Sequence, residues 1–154
     1  MPPVIKLSDL PTLIPVIWPA KGKETDGGGI PHFHVKCPAG FFSPAADYAE
    51  SRLDLNDYLV KHQAATFIFD VVGDSMKYAG IFDGDKIVVD RAVEAKHWDI
   101  VVAILNGEHT VKRLYMKNGE VQLRSENPIY RPITLKESEE LHIFGVVVGV
   151  VRKL

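Results

Sequence analysis

Residues 99–124 read DIVVAILNGEHTVKRLYMKNGEVQLR, and this stretch decides the fold. Two Asn-Gly pairs, at 106–107 and 118–119, divide it into three short segments rich in β-branched and other apolar residues. Asn-Gly favours the tight turns, with both residues at positive φ, that join antiparallel strands. We therefore predict three consecutive antiparallel strands: 99–105, 109–116 and 120–124.

Similar apolar segments occur on both sides of this stretch and predict three further strands: 66–72, 86–90 and 141–151. No helical pattern alternates with the six strands, as it would in a parallel sheet. The predicted fold class is therefore mostly β, with twisted and largely antiparallel sheets.

Two short helices are predicted ahead of the strands. The first begins at Ser43, an N-cap residue followed by proline, and continues to about Glu50. The second covers 53–62, where three apolar residues share one helical face: Leu55, Tyr58 and Leu59.

Prolines are concentrated at the N terminus, where the first 38 residues hold seven of the ten. Such a density excludes helix interiors and central strands. Three consecutive glycines follow at 27–29, yet the segment is too apolar for a purely solvated tail. We predict an extended N-terminal arm over 1–39, which packs on its own domain or on a partner, and a compact domain over 40–154.

Composition excludes several classes of function. The net charge of −2 argues against general binding to nucleic acid or to an anionic membrane, which needs an excess of basic residues. A single cysteine, Cys37, excludes an internal disulfide. No apolar run reaches 18 residues and the N terminus lacks a basic start, so we expect a cytoplasmic protein without a membrane anchor.

A candidate nucleophile follows the strand predicted at 66–72. In Gly73-Asp74-Ser75-Met76, the glycine allows a sharp turn that presents the Ser75 hydroxyl, with backbone N–H groups nearby to hold an oxyanion. Taken alone, the pattern also fits an ordinary serine in a polar turn.

A candidate base lies on the strand predicted at 109–116. Alternation places Lys112 on the same face as Leu114 and Met116, so Lys112 points inward if that face is the core. Burial lowers the pKa of a lysine, and a neutral lysine can take the proton of a serine hydroxyl. The alternative is a lysine whose stem covers apolar surface while its ammonium group reaches water.

Three further groups of residues could carry chemistry. Small residues at Ala39-Gly40 suit a bond that enters a narrow groove and is cut, although they also suit a simple linker. His32, His34 and Cys37 form H-x-H-x-x-C, but no fourth ligand is evident, so no metal is predicted. A histidine base for Ser75 is disfavoured because His109, three positions from Lys112, faces the other side of its strand.

Together these motifs resemble the LexA/UmuD (S24) family of self-cleaving serine–lysine peptidases, and UmuD most closely. The resemblance covers about 39–151. It is carried by Gly73-Asp74-Ser75-Met76, Asp83-Gly84-Asp85, Thr110-Val111-Lys112, Phe144-Gly145-Val146-Val147, and Ala39-Gly40 ahead of Ser43-Pro44-Ala45-Ala46-Asp47-Tyr48. The arm is longer than is typical of UmuD, and Ala-Gly is the dipeptide typical of LexA.

The resemblance implies roles for these residues. Ser75 is the expected nucleophile and Lys112 the general base, without cofactor or metal. The backbone N–H groups of Asp74 and Ser75 are the expected oxyanion donors, and Ala39–Gly40 is the expected self-cleaved bond.

The resemblance also implies a biological role, in the SOS response to DNA damage. The expected protein is a bacterial, cytoplasmic homodimer that meets the RecA–single-stranded-DNA filament and sheds its arm. The processed form would then join a UmuC-like Y-family polymerase in error-prone translesion synthesis. Two alternatives stay open: a non-enzymatic scaffold that binds the polymerase or RecA, and a LexA-like regulator without a DNA-binding domain. Direct sequence-specific DNA binding is not expected, since the proline-rich arm cannot form a helix-turn-helix.

Overall fold

A computed structural model describes residues 29–34, 37–40, 50–136 and 138–154. Most of the predicted arm, and the predicted helix from Ser43 up to residue 49, lie outside these described residues. Within them, no helix is long and apolar enough to cross a membrane.

The described residues form nine strands: β1 (Ile30–Phe33), β2 (Glu50–Leu53), β3 (Thr66–Asp70), β4 (Lys86–Asp90), β5 (Ile100–Leu105), β6 (Glu108–Lys117), β7 (Glu120–Arg124), β8 (Ile133–Thr134) and β9 (Leu141–Val151). Strands β3 to β9 make one sheet in the order β3-β4-β9-β5-β6-β7-β8, and β1 pairs with β2 in a separate ribbon. Every pairing is antiparallel. The predicted fold class is therefore confirmed.

The two Asn-Gly turns join β5 to β6 and β6 to β7, as predicted. Asn106 and Gly107 have φ values of 49° and 84°, and Asn118 and Gly119 have 51° and 80°. Both residues of each turn thus adopt the left-handed conformation that matches the twist of the flanking strands.

One predicted strand is shorter than expected. The segment predicted over 66–72 leaves the sheet after Asp70, although the N–H of Val71 still donates to the carbonyl of Asp85, the residue before β4, at 2.8 Å. The carbonyl of Val71 accepts from the N–H of Gly84 at 2.8 Å, one residue out of the β3–β4 register. Regular pairing is thus broken at Val71, four residues before Ser75.

Two apolar clusters hold the seven-stranded sheet together. One combines buried residues from β4, β5 and the segment after β3: Val71, Met76, Ile81, Ile87, Val89 and Val102. The other combines buried residues from β5, β6, β7 and β9: Val101, Ala103, Leu114, Leu123 and Val146. Removing these side chains from water supplies the main stabilisation of the sheet, at about 25 cal/mol per Å² of apolar area.

The second predicted helix is also shorter than expected. Only Leu55–Leu59 is helical (α1), and Asp54 caps it by accepting hydrogen bonds from the N–H groups of Asn56 and Asp57. Leu53, predicted as the first helical residue, ends β2 instead, and Glu50, the predicted end of the first helix, begins that strand. The predicted helix ends were wrong because Leu53 is paired with Ile30 of β1 and because the chain returns to an extended conformation at Val60.

The ribbon of β1 and β2 joins residues from both sides of the predicted domain boundary. Ile30 is paired with Leu53 and Pro31 with Arg52. Arg52 donates from Nη2 to the carbonyl of Gly29 at 2.7 Å. The end of the predicted arm therefore lies against its own domain, and the connection between the two strands carries Ala39–Gly40.

Candidate active site

Ser75 lies in a tight turn between β3 and a short 3-10 segment, Lys77–Ala79. Gly73 opens the turn with a φ of 90°, a conformation that favours glycine. Its N–H donates to Oδ1 of Asp83 at 2.6 Å, which ties the turn to the Asp83-Gly84-Asp85 segment. The sequence thus places a half-buried serine hydroxyl just beyond the end of a strand.

Lys112 lies in the middle of β6 and reaches the same place. Its Nζ donates to Oγ of Ser75 at 2.9 Å and to the carbonyl of Val111 at 3.1 Å. The side chain is half-buried, and this burial lowers the pKa of Lys112 below its ordinary value because the charged ammonium form loses hydration. Leu114 on the same face is buried, whereas Met116 is exposed, so this face leaves the core towards the end of β6.

A groove of about 300 Å³ surrounds the two side chains. Its walls come from the end of β3 and the turn at Gly73-Asp74-Ser75-Met76, which we call the nucleophile turn, on one side. The other side comes from β5 and β6. The lining residues are Phe69, Asp70, Val71, Val72, Gly73, Ser75, Met76, Val102, His109, Thr110, Val111 and Lys112. The groove is therefore mainly apolar, with one hydroxyl and one amine hydrogen-bonded within it.

Two backbone donors at the turn have no acceptor among the described residues. The N–H groups of Asp74 and Ser75 make no hydrogen bond there, although neighbouring groups do: the N–H of Lys77 donates to the carbonyl of Asp74 at 3.3 Å. Backbone N–H groups beside a nucleophile can stabilise a developing oxyanion. This arrangement fits the donors expected from the sequence.

The predicted scissile bond lies apart from the groove lining. Cys37, Ala39 and Gly40 are exposed, and among the described residues none of them borders the groove. A Cβ atom placed on Gly40 would meet no atom within 4 Å. The observed conformation of this segment therefore does not itself require a glycine.

The histidine alternatives receive a different placement. His109 borders the groove as well, although strand alternation predicts that it faces the other side of β6 from Lys112. Its ring contacts Phe69 and Phe144, with centroid distances of 5.7 and 6.3 Å. Ser75 makes its side-chain hydrogen bond with Lys112.

His32 on β1 and His34 just after that strand lie elsewhere. The rings of His32 and His34 are 4.8 Å apart, and Nε2 of His34 lies 2.8 Å from Oγ of Ser51. In the described part of the chain, no three His, Cys, Asp or Glu side chains are grouped closely enough to hold a metal ion.

Two residues at the site were not singled out from the sequence. Asn127 is 2% exposed, and its Nδ2 donates to the carbonyl of Asp74 at 3.1 Å. The hydroxyl of Tyr130 donates to Oδ1 of Asp74 at 2.6 Å. No spacing in the sequence signals a contact between residues more than fifty positions apart.

Comparison with known proteins identifies the family. The Peptidase S24-like family matches residues 31–148. The chain is 49% identical over 123 residues to Protein SamA of Salmonella typhimurium, which covers 80% of this chain and 85% of SamA. The chain belongs to the LexA/UmuD family of S24 peptidases.

Two other members of the family match over 120 and 86 residues. Protein MucA of Escherichia coli is 39% identical over 120 residues, or 77% of this chain and 81% of MucA. The LexA repressor of Syntrophotalea carbinolica is 45% identical over 86 residues, or 56% of this chain and 43% of the repressor. The chain is thus a UmuD-like relative of the self-cleaving serine peptidases, a family whose role lies in the SOS response and mutagenesis.

Proposed function

We propose that this chain cuts its own Ala39–Gly40 bond, with Ser75 as the nucleophile and Lys112 as the general base. The observation that carries the proposal is the 2.9 Å hydrogen bond between Lys112 Nζ and Ser75 Oγ inside the groove. Burial lowers the pKa of Lys112 and so increases the fraction of neutral amine, the form that can accept a proton.

In the first step, neutral Lys112 takes the proton of the Ser75 hydroxyl while Oγ attacks the carbonyl carbon of Ala39. The carbonyl oxygen becomes an oxyanion, which the N–H groups of Asp74 and Ser75 stabilise. The protonated Lys112 then gives its proton to the nitrogen of Gly40. The C–N bond breaks, and Ala39 is left as an ester on Ser75.

In the second step, water replaces Gly40. Lys112, now neutral again, takes a proton from the water molecule as its oxygen attacks the ester carbon. Collapse of the second oxyanion releases Ser75, which recovers its proton from Lys112. The products are the arm over 1–39, ending in a carboxylate, and the domain over 40–154, beginning with a free amine.

Cleavage requires the junction to move, since residues 37–40 do not border the groove as observed. The rate is then set by how often the bond occupies the groove in reactive geometry. Gly40 fits this requirement, because its lack of a side chain is not needed in the observed conformation but suits a narrow groove. Contact with a RecA–single-stranded-DNA filament would act by raising that occupancy.

We propose the downstream role by analogy with the family. The 40–154 domain acts as a homodimer in the bacterial cytoplasm and joins a UmuC-like Y-family polymerase in error-prone translesion synthesis. The relatives SamA and MucA support this assignment through their similarity over about four fifths of this chain. Contact with DNA would pass through protein partners, in agreement with the net charge of −2.

Mass spectrometry of the purified full chain tests the proposal. Incubation at alkaline pH, or with RecA filaments on single-stranded DNA, is expected to produce a new terminus at Gly40. Ser75→Ala abolishes this product, and Lys112→Ala slows its formation by about 10²- to 10⁴-fold, the usual contribution of a general base.

Matched variants separate catalysis from general damage. Lys117→Ala removes an exposed lysine from the same strand, and Ser138→Ala removes an exposed serine, so both should cleave at the normal rate. A new terminus at Gly40 that persists in Ser75→Ala would refute the proposed mechanism. Intact chain under all conditions would instead favour the non-enzymatic scaffold.

A further inference from the structure

The position of Ser75 relative to Lys112 is not fixed by strand pairing alone. Ser75 follows β3 at one edge of the sheet, whereas Lys112 lies on β6, and three strands (β4, β9 and β5) stand between them in the sheet order. A serine and a lysine must nevertheless stay within hydrogen-bond distance to transfer a proton. A direct link between the two elements is therefore needed.

Residues 125–130, which follow β7, provide contacts with the nucleophile turn. We call this segment the bridging loop. Asn127 Nδ2 donates to the carbonyl of Asp74 at 3.1 Å, and the Tyr130 hydroxyl donates to Oδ1 of Asp74 at 2.6 Å. The carbonyl of Glu126 accepts from the N–H of Tyr78 at 3.1 Å. One loop thus contacts the carbonyl and the carboxylate of Asp74 and the N–H of Tyr78 in the 3-10 segment that follows the turn.

The same loop also contacts the strand that carries Lys112. Oε1 of Glu126 accepts from Nε of Arg113 at 2.7 Å, and Arg113 is the residue next to Lys112. Nη1 of Arg113 in turn donates to the carbonyl of Trp98 at 2.8 Å. One loop therefore binds the neighbour of Ser75 and the neighbour of Lys112.

The burial of Asn127 indicates that these contacts matter. Its side chain is 2% exposed, and both ends of the amide are occupied: Nδ2 by Asp74, and Oδ1 by the N–H of Ile129 at 3.3 Å. A buried amide that loses a partner carries an uncompensated desolvation cost. The turn and the loop thus stabilise each other in one relative position.

We propose that the bridging loop sets the position of Ser75 relative to Lys112, with Asn127 and Tyr130 as positioning residues for self-cleavage. The proposal rests on the function proposed above. It assigns a role in the reaction to side chains that touch neither the scissile bond nor the two reacting groups.

The protonation of Tyr130 is tied to Asp74. The hydrogen bond to Asp74, followed by the charge of that carboxylate, raises the pKa of Tyr130 above its ordinary value. Lys77 also lies near this carboxylate, with its Nζ 3.8 Å from Oδ2 of Asp74. The raised pKa favours the protonated hydroxyl, which is the form that donates to Asp74.

Two readouts on Tyr130→Phe test the proposal in the full-length protein. One is the rate of self-cleavage at alkaline pH, and the other is the rate at which a fluorophosphonate probe labels Ser75, which does not require the junction to enter the groove. We expect both rates to fall by about tenfold, which corresponds to the loss of one hydrogen bond to a charged acceptor. A melting curve checks that the variant is still folded at the assay temperature. Tyr78→Phe is the matched control, because its exposed hydroxyl makes no hydrogen bond among the described residues.

Asn127→Asp provides the second variant. It keeps the acceptor for Ile129 but removes the donor to Asp74 and adds a like charge beside it, so labelling should fall at least as far as in Tyr130→Phe. If both variants label and cleave as fast as Tyr78→Phe, the bridging loop has no positioning role. Failure of the proposed function gives a different result, namely cleavage at Gly40 that persists in Ser75→Ala.

Discussion

The seven-stranded sheet and the two-stranded ribbon are held together in different ways. Every buried side chain among the residues whose burial is described lies between Val71 and Val146, and none of these belongs to the ribbon of β1 and β2. The described contacts of the ribbon are its backbone ladder and exposed polar contacts, such as that of Ser51 with His34, the residue after β1. An isolated hairpin of this kind is marginal in water, whereas a sheet with a buried core is not.

This difference matches the two roles that the proposed function gives to one chain. The groove with Ser75 and Lys112 would need fixed geometry, and it is built on buried strands. The proposed scissile bond would need to leave its observed position, and it is connected to strands that can separate at small cost. We therefore expect substitutions in the sheet to change stability and substitutions at the junction to change cleavage.

The largest contrast should come from equivalent truncations in the two regions. Leu123→Ala removes a fully buried side chain on β7, so we expect it to lower the free energy of unfolding by about 2–5 kcal/mol. Ile30→Ala removes a side chain on β1 that is 60% exposed, and should change that free energy by about 0.5 kcal/mol or less. Urea denaturation measures both, and equal losses would contradict the comparison.

Adding a methyl group to a glycine in each region gives the next contrast. A Cβ on Gly145 would lie 2.8 Å from the carbonyl oxygen of Asp90, so Gly145→Ala should cost about 1–3 kcal/mol in unfolding experiments.

Gly40→Ala should behave in the opposite way. The new Cβ meets nothing within 4 Å, so stability stays within about 0.5 kcal/mol, while self-cleavage slows by about tenfold or more because the bond fits the groove less well. Normal cleavage by Gly40→Ala would show that the groove accepts a larger residue and would weaken the comparison.

A smaller effect should appear when Lys112 is replaced by Met. Burial lowers the pKa of Lys112 in the folded chain below its ordinary value of 10.5. Between the folded pKa and 10.5, the unfolded chain therefore binds more protons than the folded chain. The stability of the natural chain therefore falls as the pH drops from above 10.5 through the folded pKa. Lys112→Met should raise the melting temperature modestly at neutral pH and by less above that range. An identical difference at both pH values would contradict burial as the cause.

The smallest effect is expected in the ribbon. Arg52→Ala removes the exposed hydrogen bond to the carbonyl of Gly29, which should cost about 1 kcal/mol or less in global stability. Amide hydrogen exchange at β1 should nevertheless become faster, because the change weakens the local pairing. Unchanged exchange at β1 would show that this contact does not hold the ribbon.

The strands were predictable where local signals agree with the tertiary structure. Strands β4, β7 and β9 have the predicted ends, and the Asn-Gly turns fix the register between β5, β6 and β7. Three strands were missed, β1, β2 and β8. Each is only two to four residues long, and β1 contains Pro31, which argues against a strand in any local reading.

The site residues, too, were predictable only where a local sequence signal marks them. Ser75 and Lys112 were singled out because a turn motif and strand alternation mark them locally. Asn127 and Tyr130 were not, because their role depends on a contact with Asp74 across more than fifty residues. The periodicity argument for Lys112 was also incomplete, since Leu114 is buried but Met116, on the same face, is exposed.

The pH dependence of self-cleavage tests the central claim most directly. The rate at which the Gly40 terminus appears should be measured by mass spectrometry between about pH 6 and pH 10, in the natural chain and in Ser75→Ala. We predict that the rate rises with pH as Lys112 loses its proton and that the product is absent from Ser75→Ala at every pH. A flat rate across this range in the natural chain would contradict a lysine base.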